Sequence, residues 1–322
     1  MLLLAGCGAP DPNLNPAAKP SGTILFVADG HISSWNGHVK QITRDGQAAS
    51  PRWTSIGDRI AYIDMHADEG WSDLIIARPD GETLRQVTNN RPEGQAGTHQ
   101  FVRSANWAAD PAWSPTGDHL AYVSDRDGWE AAPNEERYSD PLYLWYADTS
   151  EGDPYILPRS AAIGLTQSWP TFSPDGLRLA FVTRVSGDNG STHTEIDVID
   201  LEEGNMTPLV TGVAAYAPAW SPDGKTIAFI ERTDKGNNVW LVPAAGGDAY
   251  QLTDTGDCAA PVWSPDGRFL AFFRVDDKGS IAAWDVELST DADGRLTASD
   301  PQKLFSADNI DTTSGMSWAA VQ

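Results

Sequence analysis

The sequence predicts an all-β protein, a six-bladed β-propeller with four antiparallel strands in each blade. The first indication is a phrase of the type Pro-x-Trp-Ser-Pro-Asp-Gly, which recurs every 43 to 60 residues and is followed by a short apolar run. A repeat of this length that holds several short strands is typical of propeller blades. The second indication is that the apolar runs are unbroken. Such runs predict strands that are covered on both faces, as they are between two neighbouring blades.

The first strand of each blade carries the repeated aromatic residue and ends in a tight turn. The aromatic residues are Trp53, Trp113, Phe172, Trp220 and Trp263, with Trp318 as a sixth, degenerate copy. In Ser-Pro-Asp-Gly, Pro presets φ, the Asp side chain bonds to its own backbone, and Gly adopts a positive φ. We therefore expect a hairpin between the first and second strands.

The second, third and fourth strands follow in chain order. The second strands are the apolar runs at 60–63, 120–123, 179–182, 227–230 and 270–273. The third strands lie in segments such as DLIIARPDG, EIDVIDLEEG and NVWLVPAAGG. The fourth strands lie in segments such as LRQVT and AYQLT, and they follow Asp-Gly or Gly-Gly turns that favour hairpins.

The two ends of the chain each supply part of one blade. Residues 23–43 align with the second, third and fourth strands and lack a first strand, whereas the last seven residues supply a first strand alone. We therefore expect the propeller to span residues 23–322. It should close by pairing residues near Trp318 with residues near Leu25, which removes sheet edges that invite aggregation.

The N-terminal segment predicts a membrane tether. Residues 1–7 resemble the end of a bacterial lipoprotein signal that is truncated, with Leu4-Ala5-Gly6-Cys7 as the lipobox. The resemblance implies lipid attachment at Cys7, and the alternative is an ordinary apolar N-terminus with an incidental cysteine. Residues 8–22 are rich in Pro, Asn, Ala and Gly, which predicts a flexible tether. The expected location is extracytoplasmic, in the periplasm or at the cell surface, with the lipid as the anchor.

The repeated phrase resembles the WD-like repeat of the TolB propeller family. The resemblance extends over residues 23–322 and implies a six-bladed propeller. Similar repeats also occur in tricorn-type proteases and in dipeptidyl-peptidase-like propellers, so function has to be argued from sites.

Composition and motifs give little indication of catalysis. The net charge of −23 repels phosphate backbones, so we expect no nucleic-acid partner. The sequence has no G-x-S-x-G elbow, no H-E-x-x-H and no paired cysteines with zinc spacing. We expect no cofactor. The Asp-rich segments 125–128, 254–257 and 291–294 predict plain turns, with structural calcium as the alternative.

The long insertions predict a site for a protein partner. Connections between second and third strands, and between blades, leave the propeller on one face, which we call the loop-rich face. Its aromatic and basic residues are candidate anchors, because interfaces favour such side chains. Packing against their own loops is the alternative. The candidates are Trp71, His99, Phe101, Arg103, Trp107, Trp129, Arg137, Tyr138 and His193.

The preferred interpretation is a non-catalytic, lipid-tethered propeller that scaffolds a complex of the cell envelope or cell surface by binding another protein. The alternative is a propeller that binds a glycan or a peptide at the mouth of its channel, with lyase or hydrolase activity as one form of it.

Overall fold

The computed structural model describes residues 20–44, 46–95, 98, 100, 104–126, 142–157, 166–186 and 191–321. In this part of the chain, twenty-five strands form six antiparallel sheets. The innermost strand of each sheet contacts the innermost strands of its two neighbours, and these contacts run in a closed circle. The predicted six-bladed β-propeller is therefore confirmed.

Blades 1 to 3 are built from the N-terminal half of the chain and from its last strand. Blade 1 contains β1 (Thr23–Ala28), β2 (His31–Trp35), β3 (Val39–Gln41) and, innermost, β25 (Ser317–Ala319). Blade 2 contains β4 (Ala48–Trp53), β5 (Ile60–His66), β6 (Trp71–Ala77) and β7 (Thr83–Gln86). Blade 3 contains β8 (Ala108–Trp113), β9 (His119–Ser124), β10 (Tyr143–Asp148) and β11 (Tyr155–Ile156).

Blades 4 to 6 follow in the same order. Blade 4 contains β12 (Gln167–Phe172), β13 (Arg178–Ser186), β14 (Thr192–Asp200) and β15 (Met206–Val210). Blade 5 contains β16 (Ala214–Trp220), β17 (Thr226–Thr233), β18 (Gly236–Pro243) and β19 (Tyr250–Gln251). Blade 6 contains β20 (Ala259–Trp263), β21 (Phe269–Val275), β22 (Ile281–Thr290) and β24 (Gln302–Ser306). The long strand β22 also pairs with β23 (Leu296–Ala298), a fifth strand of this sheet.

The ring closes as predicted, by pairing the last strand with the first. Ile24 pairs with Trp318 and Leu25 pairs with Ser317, in antiparallel register. The indole Nε1 of Trp318 donates to the carbonyl oxygen of Ser21 at 2.9 Å. Blade 1 therefore combines three strands from residues 23–41 with one strand from residues 317–319.

The repeated Ser-Pro-Asp-Gly turn is stabilised by its own side chains. In blade 5, the Ser221 hydroxyl donates to Asp223 Oδ1 at 2.7 Å and accepts the backbone N–H of Thr226 at 3.0 Å. The hydrogen bond from the Ser221 hydroxyl holds the pKa of Asp223 below its ordinary value. Gly224 closes the turn with a φ of 70°. We call the side of the propeller that carries these turns the turn face.

The core lies between the blades. In the described part of the chain, apolar side chains form six buried clusters, one at each boundary between neighbouring blades. The apolar run 270–273 of β21 illustrates the arrangement, because its alternate side chains enter the clusters on opposite sides of blade 6. The unbroken hydrophobicity of the second strands therefore reflects burial on both faces.

Each inner strand bends at the residue just before the proline of the repeated phrase, or before Met316, which replaces that proline in blade 1. The residue at this point has a left-handed backbone in all six blades: Ser50, Asp110, Trp169, Ala217, Ala260 and Gly315, with φ between 47° and 68°. In blades 2 to 6 a β-bulge interrupts the pairing of the inner strand at the same place. Bulges redirect side chains, and this one brings the bent positions to the propeller axis.

Candidate functional site

A funnel lies on the axis of the propeller and opens on the turn face. It has a volume of about 440 Å³. Its wall is formed by the repeated aromatic residues of the inner strands, and its rim by the residues of the turns. The rim includes Ser55, Pro115, Pro174, Pro222 and Pro265. Among the described residues, the turns between strands on this face are tight, except for the connection between β22 and β24 of blade 6, which carries β23.

The floor of the funnel is formed by two large side chains that cross the axis. A Cβ atom added to Gly315 would lie 3.3 Å from Cζ3 of Trp169 and 3.4 Å from Nη2 of Arg52. Both side chains therefore lie directly in front of Gly315. Nη1 of Arg52 donates to the carbonyl oxygens of Pro51 and Ser314, each at 2.9 Å. These two hydrogen bonds fix the guanidinium group in place.

The carboxylate of Asp110, in the neighbouring blade 3, partly balances the positive charge of Arg52. Oδ2 of Asp110 accepts the backbone N–H of Trp169 at 3.1 Å, and Oδ1 lies 3.5 Å from the hydroxyl of Ser50. Burial raises the pKa of Asp110, and it lowers the pKa of Arg52, because each charged form loses hydration inside the ring. The opposite charges partly offset this loss for each other.

The funnel is suited to binding rather than to acid–base chemistry. Among the described residues that line it, Arg52 alone has an ionisable side chain. The described part of the chain also has no group of three His, Cys, Asp or Glu residues that could hold a metal ion. The lining offers apolar surface, several hydroxyl groups and one fixed cation. These features favour a ligand that is largely apolar and carries an acceptor at its tip.

Three of the nine predicted anchor residues of the loop-rich face lie in the described part of the chain. Trp71 starts β6, stacks on His66 with ring centroids 3.7 Å apart, and donates from Nε1 to Glu69 at 2.9 Å. Its side chain is only 6% exposed, so the expected exposure is not observed. Trp107 is half-buried, and its backbone N–H donates to Asp125 at 2.6 Å.

The third of these residues, His193, lies on β14 of blade 4, with Nε2 3.0 Å from Glu195 Oε1. Trp71 and Trp107 lie near each other, because Ser72, next to Trp71, donates its backbone N–H to the carbonyl oxygen of Asn106 at 3.2 Å, whereas His193 lies in blade 4. The other predicted anchors and the lipidation site lie outside the described residues: Cys7, His99, Phe101, Arg103, Trp129, Arg137 and Tyr138. Their predicted roles stay predictions.

The Asp-rich turn at 291–294 shows ordinary turn chemistry. Oδ1 of Asp291 accepts the backbone N–H groups of Asp293 and Arg295 at 2.9 and 2.8 Å. In the segment 254–257, Asp257 pairs with Arg274 at 3.3 Å. Part of the segment 125–128 lies outside the described residues. Structural calcium at these turns stays a prediction.

The closed ring of six antiparallel sheets around an axial funnel defines the class of six-bladed β-propellers. The model of the TolB β-propeller domain family matches residues 144–308, just over half of the chain. The chain therefore belongs to this family. None of the described residues forms a helix with the length and apolarity that a membrane crossing requires.

Individual relatives agree with this assignment. The TolB homolog of Chlorobium luteolum (strain DSM 273 / BCRC 81028 / 2530) is 27% identical over 125 residues, which cover 36% of this chain and 24% of that protein. The structure of putative TolB from Agrobacterium tumefaciens is 18% identical, with a TM-score of 0.62 and 92% of both chains covered. TolB from Acinetobacter baumannii is 17% identical, with a TM-score of 0.62, and the likeness covers 92% of this chain and 66% of that one. At these identities the two structures show the shared fold alone. The matched segment amounts to about a quarter of the length of the curated relative.

Proposed function

We propose that this chain is a non-catalytic interaction module that binds another protein of the cell envelope or cell surface and helps to hold a complex together. The observation that carries the proposal is the axial funnel with its aromatic wall and its single fixed cation. Membership in the TolB propeller family supports it. The lipobox-like start of the sequence supports an extracytoplasmic location with a lipid anchor at Cys7.

The dimensions of the funnel favour an extended segment of the partner over a globular surface. A volume of about 440 Å³ is in the range of small-ligand pockets, so it admits a few side chains. Because prolines of the turns form much of the rim, little conformational entropy is lost when a partner is bound. The guanidinium of Arg52 at the floor can donate to a carbonyl or carboxylate group of the inserted segment.

The loop-rich face is the second surface on which the partner could be bound, and a crosslinking experiment separates the two. A photoreactive amino acid is placed at Ser55 or Ile56, on the rim of the funnel, or at Thr98, in the long connection of the loop-rich face. Each protein is irradiated in intact cells of the source organism. We expect one defined protein adduct from Ser55 and Ile56. An adduct from Thr98 alone would move the partner site to the loop-rich face. If none of the three positions gives a protein adduct, the proposed function is wrong.

A small peptide or glycan is the other ligand that the funnel fits, because its volume is that of a small-molecule site. This second candidate is tested by thermal unfolding in the presence of oligosaccharides and short peptides. A ligand present at one hundred times its dissociation constant stabilises the protein by roughly 2.7 kcal/mol. An Arg52→Gln variant should lose that stabilisation, whereas Arg85→Gln, on the perimeter of blade 2, should retain it.

A further inference from the structure

One carboxyl group lies inside the apolar packing between blade 6 and blade 1. We call this packing the closing seam, and its members include Ile24, Phe26, Ala271, Ala283, Phe305, Met316 and Trp318. Asp285 lies on β22, where it pairs with Ala271 of β21 and with Gln302 of β24. Because side chains alternate along a strand, Asp285 faces the same side as Ala283 and so faces the seam. Asp285 is only 3% exposed.

The corresponding position in four other blades is apolar or aromatic. In each of these blades, as in blade 6, the residue pairs with the alanine of the second-strand apolar run. The equivalent residues are Ile76, Tyr146, Val198 and Leu241. Asp285 therefore occupies a place that these four blades fill with packing side chains, whereas blade 1 has the small Ser34 there, paired with Leu25.

Asp285 also lacks the partners that other buried carboxylates of this protein have. Asp73 accepts hydrogen bonds from the side chains of Thr88 and Gln86, and Asp197 accepts one from the hydroxyl of Thr183. Among the described residues, no side-chain donor and no cation bonds to Asp285. A charged carboxylate in this place is costly, because it is shielded from solvent and only the hydrogen bond from its own backbone N–H favours its charged form.

The charged groups around Asp285 do not relieve this cost. Glu287, two residues along the same strand, adds a second negative charge, although it is itself paired with Arg268 at 2.9 Å. Lys303 of β24 pairs in register with Trp284, and so faces the opposite side of blade 6. From β21 the neighbouring residue is Ala271. Blade 1 contributes Ile24, Phe26 and Trp35 to the seam. His31 lies at the start of β2, nearer to the loop-rich face.

We propose that Asp285 makes the closing seam a pH-dependent joint: the seam is closed when this carboxyl group is protonated and opens more often when it is ionised. Met316 and Trp318 belong to the closing seam and also line the funnel. Opening of the seam therefore changes the wall of the candidate binding site. The proposal does not depend on what the funnel binds.

The pKa of this group determines the pH range of the effect. Burial, with a smaller contribution from Glu287, raises the pKa of Asp285 to about 6. The closed seam therefore keeps its proton at pH values where an exposed carboxyl group has lost it. The seam is most stable below about pH 4, weakens as the pH rises from 4 to 6, and stays weakened above pH 6.

Hydrogen exchange of the complete chain tests the joint. The exchange of backbone amides in β1, β24 and β25 is measured at pH 4.5 and pH 7.5 and corrected for the intrinsic exchange rate. Amides of β13 in blade 4 serve as the internal reference. We expect the opening constant of the seam to be about 10- to 100-fold larger at pH 7.5, since a pKa difference of two units corresponds to roughly 100-fold. The reference strand should change much less.

Two substitutions identify the group that is responsible. Asp285→Leu introduces the residue that blade 5 has at this position, and Asp285→Asn keeps the shape if the leucine variant fails to fold. Either variant should remove the pH dependence of seam opening, whereas Asp293→Asn, on the exposed hairpin of the same blade, should retain it. The proposal is overturned if Asp285→Asn opens with the pH dependence of the wild type, or if seam and reference strand change by the same factor.

Discussion

Replacing Trp318 with alanine should weaken the whole ring, because this residue completes both blade 1 and the closing seam. Trp318 is 8% exposed, pairs with Ile24 and donates to the carbonyl of Ser21. Burying about 200 Å² of an aromatic side chain at about 25 cal/mol per Å² corresponds to roughly 5 kcal/mol. This value is an upper bound, since the unfolded chain already buries part of that surface. We therefore expect a loss of about 3 to 5 kcal/mol, in the range seen for buried aromatic residues elsewhere.

The assay is thermal unfolding, followed by calorimetry and by circular dichroism. For a protein of this size, 1 kcal/mol corresponds to roughly 2 °C, so the melting temperature should fall by about 6 to 10 °C. Trp263→Ala is the matched control, because Trp263 is 5% exposed and its Nε1 also donates to a backbone carbonyl, that of Ala219 at 3.0 Å, but it packs between blades 5 and 6, outside the closing seam. Both variants should melt earlier, but only Trp318→Ala should speed hydrogen exchange in β1. A fall of less than 2 °C for Trp318→Ala would refute the idea that the C-terminal strand stabilises the ring.

Three further predictions concern single sites. Gly236→Ala should destabilise the protein strongly and lower its melting temperature, since the new Cβ would lie 2.2 Å from the carbonyl oxygen of Gly256, whereas Gly279→Ala meets no atom within 4 Å and should cost much less. Asp110→Ala should cost about 1 to 3 kcal/mol in chemical denaturation, because it leaves the backbone N–H of Trp169 without its acceptor and removes the negative charge that faces the guanidinium of Arg52. Asp276→Asn should flatten the acid limb of the stability profile. A hydrogen bond from a lysine lowers the pKa of Asp276 to about 2, so its contribution is present above about pH 4 and is lost as the pH falls toward 2.

The closure of the ring could be predicted because its signal is present in the sequence. Residues 23–43 lack the aromatic strand that every complete repeat has, and the last seven residues supply that strand alone. Two incomplete repeats have one simple solution, which is to complete each other. The pairing of Ile24 with Trp318 confirms it.

The burial of Trp71 could not be decided from the sequence, which left exposure and packing against its own loop both open, because distance from the repeat motif says little about burial. In the sequence, Trp71 stands in a polar connection beside Asp68, Glu69 and Gly70. In the structure it is the first residue of β6, and its indole is covered by the imidazole of His66. Stacking between residues paired across a hairpin depends on the strand register, and the sequence alone does not fix where that hairpin begins.

A ligand site at the mouth of the channel was the alternative prediction, but the residues of its floor were not predicted, because the floor depends on a backbone feature that the repeat conceals. The residue before the repeated proline is left-handed in blades 2 to 6, yet among Ser50, Asp110, Trp169, Ala217 and Ala260 only Asp110 is of a type that favours a positive φ. Proline also restricts the residue before it, usually to an extended backbone. The signal that was available is Gly315, which takes this position in the degenerate repeat and is the one residue type suited to it. Aligning the other copies of the repeat on Gly315 would have located the bend in each of them.

The left-handed position before the repeated proline explains how a repeated sequence produces an axis whose side chains are not repeated. The aromatic residues, the prolines and the turns are nearly equivalent in each blade, so they provide a ring with similar walls all round. At the left-handed position the side chain is free to differ, and it is small in four blades, acidic in blade 3 and an indole in blade 4. The indole of Trp169 closes the axis beside Arg52, and Asp110 supports both through its carboxylate. We therefore expect that exchanging Arg52, Asp110 or Trp169 changes the ligand preference of the proposed axial site while leaving the ring intact.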